Sequence, residues 1–298
     1  MATELRDIVV LLREVRDPRP PIRLEGGGAA IRETGLRRLT NPADLAALEV
    51  AVAHAAATGG AVTAVAVGGE RLDDSLRLAL SMGAARAIRV WDDALRDGDA
   101  VAEATVLRRV LEVVRPGLFF TGHRLLDRGD DPAAALAAAS HGMPFAQAAL
   151  SFELARDGVR VVRKAERGGR QVLLLEPPCA IFFDATAAEP RYPELPAVLA
   201  ALAARIEPWG IEDLGLPPWT LGFDGAVLRP ASLAFPRQDP LRVATPDPSL
   251  PAPERVRALF TGGIRPRGGR MHFGSADETV EGIVRILVDE GLLPGGQT

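Results

Sequence analysis

Short apolar runs and amphipathic stretches alternate along the first half of the chain. The apolar runs predict strands buried on both faces, and apolar residues three or four positions apart predict helices with one buried face. This pattern predicts the strands Ile8–Leu12, Ala61–Val67, Ala87–Val90 and Leu118–Thr121, and helices over residues 42–57, 71–82, 100–114 and from 132 onward. Alternation of strand and helix predicts an α/β fold, with a mostly parallel sheet flanked by helices on both faces.

Local sequence signals place several helix starts and strand ends at one edge of that sheet. Asn41 and Asp131 are predicted to cap helices, each followed by a proline, Pro42 or Pro132, at the first helical position. Open α/β sheets bind nucleotides and other anions at this edge. We therefore expect one crevice, formed by the loops after residues 12, 67 and 121 and by the Asn41 helix start. The alternative is a plain turn with a solvated acidic loop that binds nothing.

Beyond Gln147 the pattern changes to short strand-like runs and then to proline-rich sequence. Turns at residues 157–158 and 168–169 predict a β-meander that extends the sheet, followed by an irregular stretch and a helix from Pro196 to about Arg205. Dense prolines over residues 208–253 predict an extended arm, and the tail is predicted to form a helix over residues 277–290. Two parts follow: an α/β nucleotide-binding domain over residues 1–205, and an arm with a C-terminal helix over residues 206–298 that wraps a partner subunit.

Composition narrows the class of protein. The chain has 298 residues, 47% of them hydrophobic, and a formal net charge of −4, so we expect no nucleic acid binding and no membrane insertion. The one cysteine, Cys179, excludes an internal disulfide and favours the cytoplasm, and the amino-terminal acids do not fit a signal peptide. The histidines lack metal-ligand spacing, and GxSxG and P-loop motifs are missing. Neither a metal site nor hydrolase or kinase chemistry is therefore predicted.

Seven strings of sequence, in order, carry a resemblance to a known family. They are IVVLLREVRD, NPADLAALEVAV, VAVGGE, SLRLALSMGAARAIRV, GLFFTGHRLLD, VRVVRKAERGGRQVLLLEPPCAIFF and EPRYPELP. The chain resembles the beta subunit of electron-transfer flavoproteins, including the FixA-like and electron-bifurcating members. This resemblance implies a Rossmann-like, adenine-nucleotide-binding domain that pairs with an alpha subunit. The pair would hold FAD and carry electrons from a flavin-dependent dehydrogenase to a quinone reductase or similar acceptor, as a carrier and not as a catalyst.

The resemblance also implies a second nucleotide in the beta subunit, AMP in simple members and a second FAD in bifurcating ones. The corresponding cofactor positions are Leu11, Arg13, Asn41, Pro42, Ala43, Asp44, Val67, Gly68, Gly122, His123, Arg124, Asp127, Arg128, Gly129, Asp130, Asp131, Pro132, Ala133 and Ala134. The family usually carries a Gln-x-Gly step where this chain has Pro132, Ala133 and Ala134, and proline lacks an N–H donor. Whether the crevice holds AMP, a second FAD or neither is left open by the sequence.

The irregular stretch over residues 184–195 resembles the loop by which this family docks on partner dehydrogenases. The corresponding docking positions are Ala187, Glu189, Pro190, Arg191, Tyr192 and Leu195. Family members often place a leucine anchor where this chain has alanines, so we expect either a different partner or an anchor at Tyr192 and Leu195. The alternative is that Tyr192 packs back on its own sheet.

The sequence is also compatible with a second class of function. A stand-alone nucleotide-binding α/β protein, acting as a sensor or nucleotide hydrolase without flavin, would have the same kind of sheet. The proline-rich arm favours the subunit hypothesis, because a segment without its own apolar core needs a surface to lie on.

Overall fold

The computed structural model describes residues 6–21, 23–25, 30–32, 34–228, 246–260 and 274–289. The chain divides into two compact units, Met1–Phe235 and Pro236–Thr298. The described strands are β1 Asp7–Leu11, β2 Glu14–Arg16, β3 Leu24–Glu25, β4 Ala30–Ile31, β5 Arg38–Thr40, β6 Ala61–Val67, β7 Arg86–Val90, β8 Leu118–Gly122, β9 Arg124–Leu125, β10 Gly129–Asp130, β11 Phe145–Ala155, β12 Gly158–Lys164, β13 Arg170–Leu175, β14 Cys179–Phe183 and β15 Glu207–Trp209. The described helices are α1 Pro42–Thr58, α2 Asp73–Met82, α3 Ala100–Val114, α4 Ala133–Ser140, α5 Leu195–Ala203, α6 Ile211–Leu214, α7 Gly222–Gly225, α8 Ala252–Phe260 and α9 Ala276–Asp289.

Nine of the described strands form one sheet, in the order β13-β12-β11-β14-β8-β1-β6-β7-β15. From β11 to β15 each neighbouring pair is parallel, whereas β11, β12 and β13 pair antiparallel as a meander at one edge. The predicted α/β class, mostly parallel sheet and meander extension are therefore confirmed. β14 differs from the prediction, because it inserts between β8 and β11 as a parallel strand instead of continuing the meander.

The sheet buries side chains on both faces, which explains why its strands are apolar without alternation. Ile8 and Val10 of β1, with Leu12 directly after it, belong to one core cluster, and Val9 and Leu11 belong to a second cluster. The first cluster includes side chains of α1 and α2, and the second includes side chains of α3, α4 and α6. Because helices cover both faces of the sheet, the carboxyl edge of the parallel strands is occupied by loops.

The two predicted helix caps, Asn41 and Asp131, differ from each other in the contacts that they make. The side chain of Asn41 makes no cap hydrogen bond to α1. Its Nδ2 atom donates instead to Asp44 Oδ1 at 3.0 Å and to the Arg124 carbonyl at 2.9 Å. α4 begins at Ala133, one residue later than predicted, and Asp131 Oδ1 accepts a hydrogen bond from Ala133 N at 3.1 Å. Asn41 therefore ties the crevice together, and Asp131 serves as the predicted acceptor at the helix start.

The sheet continues past residue 205, where the sequence placed the end of the first domain. β15 pairs with β7, and Trp91 N donates to the Trp209 carbonyl at 3.0 Å. Leu214 and Leu221, which follow β15, are buried in the second core cluster. Residues 207–228 thus pack with the sheet and do not form an extended arm. Residues 229–245 and the predicted last residue of the tail helix, 290, lie outside the described residues, and the wrapping of a partner stays a prediction.

The described residues contain neither a membrane-spanning helix nor a metal cluster. No helix in those ranges is long and apolar enough to cross a membrane. The same ranges hold no group of three or more His, Cys, Asp or Glu side chains that could bind a metal ion. Cys179 lies buried in β14, where burial raises the pKa of its thiol to about 12. A thiol in that environment stays protonated and is a poor nucleophile.

Candidate cofactor site at the carboxyl edge of the sheet

A buried ion pair joins the end of β1 to the start of α1. Arg13 follows β1 by two positions, and Asp44 lies in the first turn of α1. Arg13 Nη2 lies 2.6 Å from Asp44 Oδ1, and the Arg13 backbone N–H donates to Asp44 Oδ2 at 2.8 Å. Both side chains are buried. Several hydrogen bonds are needed here, because removing a pair of charges from water costs more than their attraction alone returns.

Asp44 also holds the end of β8 in place. Its Oδ1 atom accepts hydrogen bonds from Gly122 N at 2.8 Å and from Thr121 Oγ1 at 3.2 Å. The approach is so close that a Cβ atom on Gly122 would lie 2.6 Å from Asp44 Oδ1 and 2.5 Å from the Ala43 Cβ atom. Glycine is therefore required at this position by the contact between β8 and α1.

Arg13 extends the same network to the start of α4. Its Nη2 atom donates to the Gly122 carbonyl at 2.7 Å, and its Nη1 atom donates to Asp131 Oδ2 at 3.0 Å. Burial alone would lower the pKa of Arg13, but the negative charges of Asp44 and Asp131 outweigh burial and raise it. The guanidinium is therefore a permanent cation that links β8, α1 and α4.

A cavity of about 390 Å³ opens beside this network. Predicted cofactor residues form a large part of its lining, namely Asn41, Pro42, Ala43, His123, Arg124 and Gly129. The other lining residues are Leu125, Leu126, Asp184 and Ala185. We call this space the wide cavity. Its lining combines apolar side chains with a few polar groups, which is the usual composition of a site for a planar organic cofactor.

A salt-bridged carboxylate lies at the rim of the wide cavity. Asp184 Oδ1 lies 2.7 Å from Lys164 Nζ and 2.6 Å from Thr186 Oγ1. Burial alone would raise the pKa of Asp184, but the hydrogen bonds from Lys164 and Thr186 outweigh burial and lower it to about 2. His123 Nδ1 lies 3.2 Å from the Phe183 carbonyl, and its Nε2 atom lies 4.0 Å from Asp184 Oδ2. The rim is therefore polar and internally bonded at neutral pH.

A smaller cavity, of about 120 Å³, lies on the α3 side of the crevice, and we call it the narrow cavity. Val67 from the predicted set lines it, together with Asp99 and Glu103 at the start of α3. Burial raises the pKa of the half-buried Glu103 to about 7, and the negative charge of Asp131 acts in the same direction. Glu103 is not among the predicted residues, because an acid in the first turn of a helix is also what the helix dipole favours on a solvated surface.

Three predicted residues contribute to the core instead of to the crevice surface. Leu11, Ala133 and Ala134 are buried in the cluster under α3 and α4. Their size is set by packing between helix and sheet, and the Leu11 carbonyl accepts a hydrogen bond from Thr121 Oγ1 at 3.1 Å. Gly68 follows β6 with a φ of 148°, and its N–H donates to the Val90 carbonyl at 2.9 Å.

The remaining predicted residues belong to the outer part of the acidic loop. Asp127 Oδ2 accepts a hydrogen bond from the Arg16 backbone at 3.1 Å, which ties the loop to β2. Asp130 is 86% exposed and pairs with Arg124 at 3.0 Å. Arg128 and Pro132 are exposed as well. Of the two adjacent acids, Asp131 therefore faces the crevice and Asp130 faces solvent.

The predicted docking loop presents an aromatic residue to solvent. Tyr192 is 97% exposed, so the alternative in which it packs on its own sheet is wrong. Ala187 packs against the first core cluster, and Arg191 forms a bidentate pair with Glu49, with Arg191 Nη2 2.7 Å from Glu49 Oε1. Glu189 and Pro190 are exposed, as is Leu195 at the start of α5. This pair anchors the loop to α1 and leaves Tyr192 and Leu195 free of core contacts.

A parallel sheet covered by helices on both faces, with a charged crevice at its carboxyl edge, defines the Rossmann-like class of α/β proteins. The family described as electron transfer flavoprotein domain matches residues 29–214. Protein FixA of Azorhizobium caulinodans is 32% identical over 218 residues, which cover 70% of this chain and 76% of that relative. Electron transfer flavoprotein subunit beta of Bradyrhizobium diazoefficiens is 28% identical over 212 residues, covering 70% and 83%. The corresponding subunit of Bacillus subtilis is 28% identical over 211 residues, covering 70% and 81%.

The chain belongs to the electron transfer flavoprotein family and is of the beta-subunit type. The match covers more than half of the chain and includes β8, α1, α3 and α4 of the crevice, whereas β1 and Arg13 precede the matched range. The names of the relatives support the subunit hypothesis from the sequence analysis. They give no support to the alternative of a stand-alone sensor or nucleotide hydrolase.

Proposed function

We propose that this chain pairs with an electron transfer flavoprotein alpha subunit, that the two hold FAD between them, and that the complex carries electrons from a flavin-dependent dehydrogenase to a quinone reductase or similar acceptor. The chain acts in this proposal as an electron carrier and not as a catalyst, and it works in the cytoplasm. The family match over residues 29–214 carries the proposal. We assign the wide cavity to this FAD, although the resemblance gives the six predicted residues that line it to the second nucleotide.

FAD fits the composition of the wide cavity. Pro42, Leu125 and Leu126 offer an apolar surface to a flat ring, and Arg124 supplies a cation near its rim. FAD is a dianion through its pyrophosphate and also gains negative charge on reduction, so a nearby guanidinium favours both its binding and its reduced forms. When bound, FAD supplies the redox chemistry, and the residues of this chain bind and orient it.

Counting cofactors tests this function directly. The full chain is purified together with its alpha subunit, the complex is denatured, and released flavin is measured per heterodimer. We expect a stable heterodimer with FAD, and reduction of that FAD by a dehydrogenase. A heterodimer without flavin, or a chain that forms no complex with an alpha subunit, would contradict the proposal.

A charge reversal locates the FAD contact. Arg124→Glu places a negative charge at the rim of the wide cavity and is expected to raise the FAD dissociation constant by about tenfold. Arg167→Glu makes the same change at an exposed position between β12 and β13 and should leave FAD binding unchanged. Equal FAD affinity in the two variants would remove the wide cavity from the proposed site.

We further propose that Tyr192 and the outer face of α5 form the surface that docks on partner dehydrogenases. We call the four residues Tyr192, Leu195, Leu199 and Leu202 the docking surface. All four are more than half exposed, although three of them are leucines in one helix. A cavity of about 270 Å³ adjoins Tyr192 and could accept a side chain of the partner. Such an exposed apolar patch is typical of a protein interaction site.

A further inference from the structure

The start of α4 is the place in this crevice where an anion is expected. The first N–H groups of a helix lack intrahelical acceptors, and they point at the carboxyl edge of the sheet. The resemblance gives residues 131–134 to the site of a second nucleotide, and a helix start is where its phosphate would bind. In this chain the structure shows which group accepts hydrogen bonds at the start of α4.

A carboxylate of the chain itself lies at this position. Asp131 Oδ1 accepts a hydrogen bond from Ala133 N at 3.1 Å, and Asp131 Oδ2 lies 3.0 Å from Arg13 Nη1. The Asp131 side chain is only 11% exposed. One carboxylate therefore bridges the two groups that would otherwise bind a phosphate, the helix amino end and the buried guanidinium.

Three of the other four N–H groups of Arg13 are engaged as well. Its Nε atom donates to Asp44 Oδ2 at 3.1 Å, and its Nη2 atom is shared by Asp44 and the Gly122 carbonyl. A phosphate at these same donors would have to displace Asp131 or Asp44, which are both largely buried. Since both carboxylates are held by further hydrogen bonds, the displacement would break bonds to Gly122 N or to Ala133 N as well.

Residues 132–134 at the start of α4 carry no side-chain donors, and a further carboxyl lies nearby. Pro132 has no N–H, and Ala133 and Ala134 have no side-chain donor and are buried in the core. The carboxyl of Glu103 lies in the adjacent narrow cavity, close enough to Asp131 for the two charges to interact. A phosphate bound here would face at least one carboxylate in a poorly solvated cleft, where repulsion is strong.

We infer that the Asp131 carboxylate is a built-in anion at the start of α4, and that it fills the place of a second nucleotide's phosphate, so that this chain binds neither AMP nor a second FAD there. The inference concerns the phosphate position at α4, and the FAD that we propose for the wide cavity is counted separately, as one FAD per heterodimer. It predicts that the crevice is complete, and the chain folded, without a nucleotide at α4.

AMP titration of the wild-type protein is the first test. The full chain, in complex with its alpha subunit where the two purify together, is titrated with AMP and separately with inorganic phosphate by calorimetry, and its nucleotide content is measured after denaturation. We expect no AMP in the preparation and no saturable binding up to millimolar AMP. One AMP per chain, a second FAD per heterodimer, or submillimolar AMP binding would overturn the inference. A preparation without FAD would contradict the proposed function, whereas the AMP titration would still test this inference.

A pair of matched variants tests the cause. Asp131→Ala removes the built-in anion and is expected to increase AMP affinity by about tenfold or more. Asp130→Ala makes the same charge change at the neighbouring exposed position and should leave AMP binding as weak as in the wild type. Circular dichroism and the melting temperature show that each variant is folded.

A third variant keeps the test decisive if Asp131→Ala does not fold. Asp131→Asn retains an oxygen for Ala133 N while it removes the charge, so it should fold and gain AMP affinity in the same direction. A folded Asp131→Ala or Asp131→Asn protein that binds AMP no better than Asp130→Ala would overturn the assignment of the carboxylate as the blocking group.

Discussion

At the scale of single residues, Asp44 organises the crevice. It accepts hydrogen bonds from Arg13 on one side and from Asn41, Thr121 and Gly122 on the other. These donors come from separate segments of the chain, and all of them meet at a side chain with no exposed surface. Loss of the carboxylate charge would leave a buried guanidinium with reduced compensation, which is among the larger costs that one substitution imposes.

Asp44→Asn is therefore expected to lower the free energy of unfolding by about 3 kcal/mol. Urea unfolding followed by circular dichroism measures the loss. The matched control is Asp130→Asn, at an exposed carboxyl paired with an exposed arginine, where a change within about 0.5 kcal/mol is expected. Similar losses in both variants would contradict a central role for Asp44.

Glu103 predicts how stability changes with pH. Burial raises its pKa from an ordinary value of 4.5 to about 7, so between these values the folded chain binds this proton and the unfolded chain does not. The contribution of Glu103 to the free energy of unfolding is therefore complete below about pH 4.5 and is lost as the pH rises toward about 7. The sign is opposite to that of a salt-bridged carboxylate such as Asp184, whose contribution is lost in acid.

Glu103→Gln should remove the loss of stability that Glu103 causes as the pH rises. Between about pH 5 and pH 8 the wild type is expected to lose on the order of 2 kcal/mol more stability than this variant. Unfolding curves over the pH range measure the difference, and Glu70→Gln, at an exposed carboxyl, should keep the wild-type pH dependence. Parallel pH profiles for Glu103→Gln and the wild type would show that Glu103 ionises normally.

At the scale of elements, α5 is held from its carboxyl end. Arg77 of α2 donates through Nη1 to the carbonyls of Ala201 and Leu202 at 2.7 and 2.8 Å. The Ala201 carbonyl also accepts from Ala204 N at 3.3 Å, and a cation at this end of the helix adds a donor for both carbonyls and complements the helix dipole. α2 therefore fixes the direction of α5, while the outer face of α5 stays exposed.

Truncation of the docking surface should weaken electron transfer without affecting the fold. Tyr192→Ala combined with Leu199→Ala is expected to raise the KM for the donor dehydrogenase by about tenfold or more, since exposed apolar side chains contribute to binding only when a partner buries them. Steady-state reduction assays measure the effect, and the free energy of unfolding should stay within about 1 kcal/mol. The control is Val172→Ala, at an exposed apolar position of β13. Equal KM values in all three proteins would exclude this surface.

At the scale of the whole molecule, the chain consists of two units with different apolar exposure. The first unit contains both core clusters, and all of their residues lie before position 222. In the second unit, apolar side chains at helical spacing are exposed on α8 and α9: Val256, Leu259, Phe260, Val280, Ile283 and Val284. Exposed apolar helix faces of this kind favour contact with another surface, in agreement with the proposed wrapping of the alpha subunit.

Removal of residues 236–298 should separate folding from pairing. The shortened chain is expected to keep its secondary structure and a cooperative unfolding transition, because its core is intact. Its affinity for the alpha subunit should fall by about tenfold or more, as the apolar helix faces are lost. Analytical ultracentrifugation measures pairing and circular dichroism measures folding. Undiminished pairing would contradict the proposed role of the second unit.

The sequence alone determined the strands β1, β6, β7 and β8, their intervening helices, and the edge of the sheet where the crevice lies. These features follow from local periodicity and from turn and capping residues, which act over a few positions. The crossover rules for βα units then leave few ways to assemble them. The class of fold and the approximate position of the site were therefore predictable.

Only the tertiary structure decided how the charged groups in the crevice are used. Arg13 and Asp131 are 118 positions apart, and the sequence could not show that their side chains meet, nor that Asp131 turns inward while Asp130 turns to solvent. The placement of β14 between β8 and β11, and of Glu103 beside Asp131, also depends on contacts between distant segments. The physical reason is that burial and pairing set the energy of a charge, and both arise when the chain closes on itself.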